Sequence, residues 1–379
     1  MAGHPMLLKI WRRLPIAAWF VLGLALAPAA ADDRAFSTWL DFNPQIERGE
    51  KKNYNLLPLF VSSPERGQGF GLKYAQQSLL NREDVVRVQA IQTLLGKSSY
   101  DLVYEFPPRS FGMEMKLTYE NFTKFYYGIG SQSREEDESA YDPELIAARV
   151  PLLYGLSKHV SAGVSFDYQE WKMIRADANG ILPRDSPHLI GTEQSRLYTT
   201  GLLMRWDSRN SRTNPTHGLF AEGSVEYAKS LVRAHGNFTR AAFETRAFHP
   251  FWNHGEHHVF GLRLFLDYTS GDVPFYRLPE LGGIFFNRGL LEGRFRDSLA
   301  VTGNIEYRFR ITDRLHWAFF TDAGNVYPRL RAVNFRRTKF TGGTGMRYYV
   351  PPGNLLLARV DGGLSSEGFR VYLTFDHPF

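Results

Sequence analysis

Apolar and polar residues alternate with a period of two along most of this chain. Successive side chains of a β-strand point to opposite faces, so this pattern predicts half-buried strands. The clearest case is the segment 300–311, whose apolar face is Val301, Gly303, Ile305, Tyr307, Phe309 and Ile311, against Thr302, Asn304, Glu306, Arg308 and Arg310. The segment 113–120 repeats it, with Met113, Met115, Leu117 and Tyr119 against Glu114, Lys116, Thr118 and Glu120.

The spacing of these segments predicts sixteen strands, an even number, as is usual for single-chain bacterial outer-membrane barrels. They cover residues 55–62, 69–77, 85–95, 98–106, 112–121, 142–153, 159–172, 196–207, 218–229, 238–250, 256–270, 298–311, 314–324, 339–350, 353–363 and 367–378. The long connections 122–141, 173–195, 271–297 and 325–338 then lie at one end, as extracellular loops do. We therefore predict an all-β, transmembrane antiparallel β-barrel.

A soluble β-sandwich is the alternative, because its strands also alternate. Its polar face meets water, however, and rarely carries so many charges opposite aromatic residues. Aromatic residues make up 15% of the chain, including 29 Phe and 19 Tyr. That share suits the aromatic girdles of a membrane barrel, although a sugar-binding β-protein would also be rich in such rings.

The N-terminus predicts export. Basic residues at Lys9, Arg12 and Arg13 precede a short apolar run and the small residues 29–31. We interpret residues 1–31 as a signal peptide; an anchor helix is the alternative. Residues 32–54 are then a short periplasmic tail and residues 55–379 the barrel. No later run of 18 apolar residues occurs, which excludes a helical membrane protein.

Charge and composition narrow the function classes. The net charge is +6, but the 45 Lys and Arg are scattered, so we do not expect nucleic acid as a partner. The chain has 0 Cys, which removes disulfides, Cys-ligated zinc and thiol catalysis. No G-x-S-x-G, H-E-x-x-H or P-loop motif occurs, so we expect no enzyme and no cofactor, with an outer-membrane hydrolase a distant alternative. One segment is rich in possible metal ligands, and we interpret it as a solvated turn rather than a metal site; it contains His249, His254, Glu256, His257 and His258.

Four segments carry a family resemblance. They are RWDSRNSRTNPTHGLFAEGSVEY at 205–227, LGG at 281–283 with NRGLLEGRFRD at 287–297, FTDAG at 320–324, and FRVYLTFDHPF at 369–379. In this order and spacing the chain resembles the BamA/TamA superfamily of outer-membrane barrels, also called bacterial surface antigen barrels, which assemble or translocate other proteins. The resemblance covers residues 205–379. The terminal segment also resembles the signal that recruits barrels for insertion, through Phe369, Val371, Leu373, Phe375 and Phe379.

The resemblance implies that the Arg-Gly loop folds back into the lumen. Loop 271–297 is rich in apolar residues, so we expect it to pack inside the barrel rather than lie in water. Strand alternation puts Glu306 and Asp322 on the lumen face of adjacent strands, as partners for Arg288. With Gly289 and Gly324 these residues form the predicted loop-pinning cluster. The alternative leaves Arg288 in solvent, and Leu290 replaces the bulky aromatic residue that the family places after Arg-Gly.

The resemblance further implies insertion or translocation of proteins, or of lipids, at the outer membrane. The expected partners are outer-membrane lipid and lipopolysaccharide, the barrel-assembly machinery during biogenesis, client proteins and a separate periplasmic protein. Residues 32–54 are too few for the roughly 75-residue periplasmic POTRA modules of the family, so we expect a member without them. The alternative is a plain diffusion channel or structural barrel.

Overall fold

The computed structural model describes residues 54–63, 67–80, 84–106, 110–211, 214–232, 236–251, 257–350 and 356–374. The predicted signal peptide lies outside these ranges, as does nearly all of the predicted tail. Within them the structure has sixteen strands of seven or more residues, numbered here in chain order. They are β1 (Tyr54–Ser63), β2 (Gly67–Gln77), β3 (Val85–Thr93), β4 (Ser98–Phe106), β5 (Phe111–Glu120), β6 (Ser139–Gly155), β7 (Val160–Ala176), β8 (Gln194–Asp207), β9 (Gly218–Ser230), β10 (Phe238–Pro250), β11 (His258–Gly271), β12 (Leu299–Arg310), β13 (Leu315–Tyr327), β14 (Lys339–Val350), β15 (Leu356–Ser365) and β16 (Gly368–Thr374).

Each strand pairs antiparallel with the next one along the chain, from β1 to β16. Three shorter strands add to them among the described residues: Lys124–Tyr126, which pairs with the start of β6, and the pair Glu280–Leu281 and Phe295–Arg296. This meander is the predicted antiparallel β-barrel with sixteen main strands. No helix in the described part of the chain has the length and apolar character needed to cross a membrane.

Burial along the strands is the reverse of burial in a soluble protein. On β12 the charged residues Glu306 and Arg308 are buried, whereas Ile305 between them is 50% exposed. On β5 Glu114 and Lys116 are buried and Leu117 is exposed. Apolar side chains on the outside and charges within are what a membrane barrel requires. The soluble sandwich is therefore the wrong interpretation of the alternation.

Several strands are longer than the pattern predicts, and two of them exceed it by the most. The alternation predicts 142–153 and 159–172, but β6 and β7 span Ser139–Gly155 and Val160–Ala176. Their outer ends continue the ladder to Tyr141↔Ala176 and pack against loop residues above the barrel. Residues 141–143 of β6 are all buried, so the alternation of burial breaks down at that end. The four long connections all leave the same end, as predicted.

Candidate functional site

The loop between β11 and β12, residues 272–298, lies in the barrel lumen. Its residues Leu281, Ile284, Phe286 and Leu290 are at most 2% exposed. They form one apolar cluster with residues of the strands around them, which are Phe265, Ala300, Val326 and Tyr372. A short hairpin, Glu280–Leu281 against Phe295–Arg296, closes the base of the loop. The apolar residues that would aggregate in water are thereby buried inside the barrel.

Arg288 at the tip of the loop is 1% exposed and contacts carboxylates of two strands. Its Nη1 donates to Glu306 on β12 at 2.8 Å, and its Nη2 and Nε donate to the two oxygens of Asp322 on β13 at 2.8 and 2.9 Å. The Arg288 backbone N–H also donates to Asp322, at 3.0 Å. This fork-to-fork geometry makes full use of the planar guanidinium. The structure thus brings the three predicted charged residues together.

The cluster extends beyond the residues that the sequence analysis named. Asp361 on β15 lies 3.5 Å from Arg288, and Arg347 on β14 joins Asp361 at 2.5 Å to Glu306 at 2.8 Å. The Phe320 ring lies 3.4 Å below the Arg288 guanidinium carbon. A stacked ring and three carboxylates compensate a cation that has left water. Four consecutive strands, β12 to β15, therefore contribute to one site.

The two predicted glycines lie where the loop and the wall approach closely. A Cβ on Gly289 would lie 2.4 Å from Oγ1 of Thr341 on β14, which is too close for any side chain. A Cβ on Gly324 would lie 2.6 Å from a methyl group of Leu281 in the loop. Both glycines therefore allow the loop backbone to reach the wall.

Leu290, which departs from the family pattern, is well accommodated. Its side chain is 1% exposed within the apolar cluster, and its carbonyl accepts a 2.5 Å hydrogen bond from the Tyr372 hydroxyl on β16. On β15, Ser365 donates to the carbonyl of Gly289 at 2.8 Å. The loop tip thus contacts the last described strand as well as the four carrying the ion pairs.

The outer half of the loop packs under the other extracellular loops. Phe275 makes edge contacts with Tyr126, Tyr141 and Trp171, and Tyr276 stacks on Trp171 at 4.3 Å. Burial raises the pKa of the Tyr276 phenol to about 12, so it remains a neutral hydrogen-bonding group at physiological pH. We call these five aromatic residues the outer cap.

Polar contacts also tie the loop to neighbouring loops. Arg296 donates to the carbonyl of Phe125 at 3.1 Å, and Arg294 pairs with Glu367 at 2.9 Å. Lys124 and Glu292 pair at 3.1 Å. The loop is therefore held at both ends, at its tip by the barrel wall and at its base by neighbouring loops.

The motif at 205–227 forms a turn at the periplasmic end. Arg209 pairs with Asp207 at 2.9 Å and lies 4.5 Å from the Phe220 ring. Arg308 on β12 donates to the carbonyl of Pro215 at 2.6 Å, although the two residues are far apart in sequence. The turn therefore folds against the lumen wall, which spacing alone does not reveal.

The other predicted residues are less informative. Phe369 and Val371 on β16 are exposed, as lipid-facing residues are, while Leu373 is buried. Phe375 and Phe379 lie outside the described residues. So do His254 and Glu256, and the described residues contain no group of three or more His, Asp or Glu side chains arranged to hold a metal.

Residues 87–358 match the family model described as the Omp85 superfamily domain. The chain belongs to the Omp85 superfamily. No curated protein matches the sequence. Membership of this superfamily places the barrel in the bacterial outer membrane.

Solved Omp85 barrels agree in fold. The structure is similar to BamA from Haemophilus ducreyi lacking POTRA domains 1–3, with a TM-score of 0.58 and 13% identity, over 95% of this chain and 77% of that one. It is similar to CdiB from Acinetobacter baumannii, with a TM-score of 0.55, 11% identity and coverage of 85% and 59%. It is also similar to CdiB from Escherichia coli, with a TM-score of 0.58 and 9% identity, over 85% of this chain and 61% of that one. The chain thus spans about three fifths of the CdiB chains, and these likenesses concern the fold.

Proposed function

We propose that this protein inserts or translocates proteins, or lipids, at the outer membrane, and that it does so without catalysing a reaction. The observation that carries the proposal is the lumen loop, which is held by ion pairs within a barrel of the Omp85 superfamily. Membership of the superfamily and the likeness to BamA and CdiB support the same function. Client proteins and a separate periplasmic protein are the proposed partners.

The occupied lumen favours an insertion or translocation function over a diffusion channel. A diffusion channel needs a continuous aqueous path, yet loop 272–298 buries an apolar cluster within the barrel. Opening that path would expose Phe285, Phe286 and Leu290 to water and separate Arg288 from its carboxylates. We propose that the pinned loop keeps the barrel sealed until a client engages it.

The first and last described strands, β1 and β16, suggest where a client protein binds. Among the described residues β1 pairs with β2 and β16 with β15. Pro58 within β1 has no N–H to donate to a neighbouring strand, and proline within a sheet is largely confined to edge strands. An incompletely paired edge is a template for an incoming strand. We propose that the edge between β1 and β16, here called the seam, receives the client.

The plain channel remains the second candidate because the lumen wall is lined with charge, as an aqueous pore is. Ion pairs such as Arg240 with Asp267 at 2.7 Å face inward from the wall. Planar-bilayer recording separates the two functions. A small, fluctuating conductance is expected for a plugged barrel, whereas a large, steady conductance in the unmutated protein would contradict it.

Photo-crosslinking in cells tests the insertion function directly. A crosslinking amino acid is placed at Leu56 on β1 and at Val371 on β16, which are 57% and 47% exposed. Leu202 on β8, 68% exposed, is the matched lipid-facing control away from the seam. We expect client barrels or a periplasmic protein to be captured at the seam positions and not at Leu202. Equal capture at all three positions, or none at the seam, would overturn the proposal.

A further inference from the structure

The extracellular loop between β13 and β14, residues 328–338, differs in charge from the other three long loops. It contains four arginines and no acidic residue. The loops at 121–138 and 177–193 contain more acidic than basic residues, and the lumen loop contains four of each. We call Arg329, Arg331, Arg336 and Arg337 the basic loop cluster. A concentrated positive charge on one outer loop requires an explanation that fold stability does not supply.

The four arginines are exposed and available for a ligand. Within the part of the chain that the structure describes, none of them forms an ion pair with a carboxylate. The arginines of the neighbouring loops behave differently, since Arg134 pairs with Asp137 at 3.1 Å and Arg184 with Asp185 at 3.3 Å. Uncompensated like charges repel one another, so the cluster costs free energy unless an anion is bound.

The backbone of this loop is ordered by its own hydrogen bonds. Residues Leu330–Ala332 and Phe335–Arg337 form two 3-10 turns. The Asn334 side chain accepts from the Arg336 N–H at 2.9 Å, and the Asn334 carbonyl accepts from the Tyr327 hydroxyl at 3.0 Å. The arginines are thus presented on a formed surface, which lowers the entropy lost on binding.

Exposed apolar side chains place the cluster at the membrane surface. Phe340, the first outward-facing residue of β14, is 63% exposed, and Leu330 and Phe335 within the loop are 61% and 76% exposed. Aromatic residues at strand ends mark the membrane–water interface. Three residues span at most about 10 Å of chain, so Arg337 lies within reach of lipid headgroups beside Phe340.

A cleft of about 650 Å³ opens beside the cluster. It is lined by Ser131, Gln132, Arg337, Thr338, Lys339, Phe340 and Ser366. The Lys339 ammonium lies over the Phe295 ring of the lumen loop, so Arg337 is the cation that this opening presents, together with neutral donors. This set suits a phosphate on a polar, sugar-like headgroup, since guanidinium forks match phosphate oxygens. Acyl chains of the same molecule could contact Phe340 and Phe335.

We propose that the basic loop cluster and this cleft bind a phosphorylated lipid of the outer leaflet. The proposal is independent of the insertion function, because the site is on the outer surface and not in the lumen. The bound lipid neutralises the four arginines and anchors the outer rim between β13 and β14.

Binding to the full chain in detergent micelles tests this proposal with three probes: bisphosphorylated lipid A, the same lipid without phosphates, and inorganic phosphate. The variant carries Arg329→Glu, Arg331→Glu, Arg336→Glu and Arg337→Glu. A control carries Arg175→Glu and Arg184→Glu, two exposed arginines of the outer face in a different region, and changes the net charge by half as much. Heat-modifiable gel mobility confirms that each protein is folded.

We expect the variant to bind bisphosphorylated lipid A at least about tenfold more weakly than the unmutated protein, and the control to bind within about twofold. Removing the phosphates from the lipid should weaken binding to the unmutated protein by a similar factor. Equal binding by variant and unmutated protein would overturn the proposal. Competition by inorganic phosphate at the affinity of the lipid would overturn it too, by identifying a free-phosphate site.

Discussion

The two sides of the barrel use buried arginine–carboxylate pairs in different ways. On the side formed by β5 to β9, Arg205 pairs with Glu114 at 2.7 Å and Arg149 pairs with Glu226 at 2.9 Å. Each of these pairs joins two strands that have two other strands between them. On the side formed by β12 to β15, the carboxylates converge instead on Arg288 of the lumen loop. One side braces the wall, and the other holds a plug.

The difference shows that the same buried arginine–carboxylate pair can either stiffen the wall or hold a loop in the lumen. A strand-to-strand pair connects elements that the backbone ladder already holds, so losing it leaves the topology intact. The loop has no backbone ladder to the wall, and the ion pairs at its tip come from one guanidinium, beside the apolar cluster, the side-chain hydrogen bonds and the close backbone approach described above. The following predictions test this comparison, in order of the expected effect on the lumen loop.

Replacing the loop arginine has the largest expected effect. Arg288→Ala leaves the buried carboxylates of Glu306, Asp322 and Asp361 without this cation, and breaking a buried pair costs about 3–5 kcal/mol. The loop should leave its site, and single-channel conductance should change from small and fluctuating to large and steady. Conductance like that of the unmutated protein, in a folded variant, would contradict the pinning role.

Filling the contact between loop and wall should have the next largest effect. In Gly289→Val the new side chain meets Thr341 and Ser365, and overpacking of this kind costs about 1–3 kcal/mol. We expect intermittent opening in bilayer recordings and faster proteolysis within loop 272–298. Gly342→Ala is a suitable control, because a Cβ there meets nothing within 4 Å. Identical behaviour of the two variants would show that the close approach is unimportant.

Removing the hydrogen bond to the last strand should have a smaller effect. Tyr372→Phe loses the contact of its hydroxyl with the Leu290 carbonyl, a bond that contributes about 0.5–1.5 kcal/mol. Hydrogen exchange at the loop tip should rise several-fold, while mean conductance stays low. Unchanged exchange at residues 287–291 would mean that β16 does not hold the loop.

Breaking a pair on the bracing side should leave the loop in place. Arg205→Met leaves the buried Glu114 without its 2.7 Å partner, so the temperature of unfolding should fall. Conductance should remain small, because Arg288 and its carboxylates are untouched. A large steady pore in this variant would show that the two sides are not separable.

Much of the site was predictable, and part of what was missed carried a signal. Alternation placed Glu306 and Asp322 correctly on the lumen face, and the same rule applied to β15 puts Arg359 and Asp361 there. The prediction considered only strands adjacent to each other and so omitted Asp361. Phe320 lies two residues before Asp322, so the same alternation puts it on the lumen face, but its stacking on the Arg288 guanidinium could not be read from the sequence.

The chain by itself determined the strands and their inner and outer faces, because alternation follows from the local geometry of an extended backbone. It also indicated that the apolar loop would be buried, because its composition is unsuited to water. The tertiary structure decided which residues meet. The contacts of Arg288 with β12 to β15, of Tyr372 with Leu290, and of Arg308 with Pro215 join distant segments. Their geometry depends on barrel curvature and loop path, which no local pattern specifies.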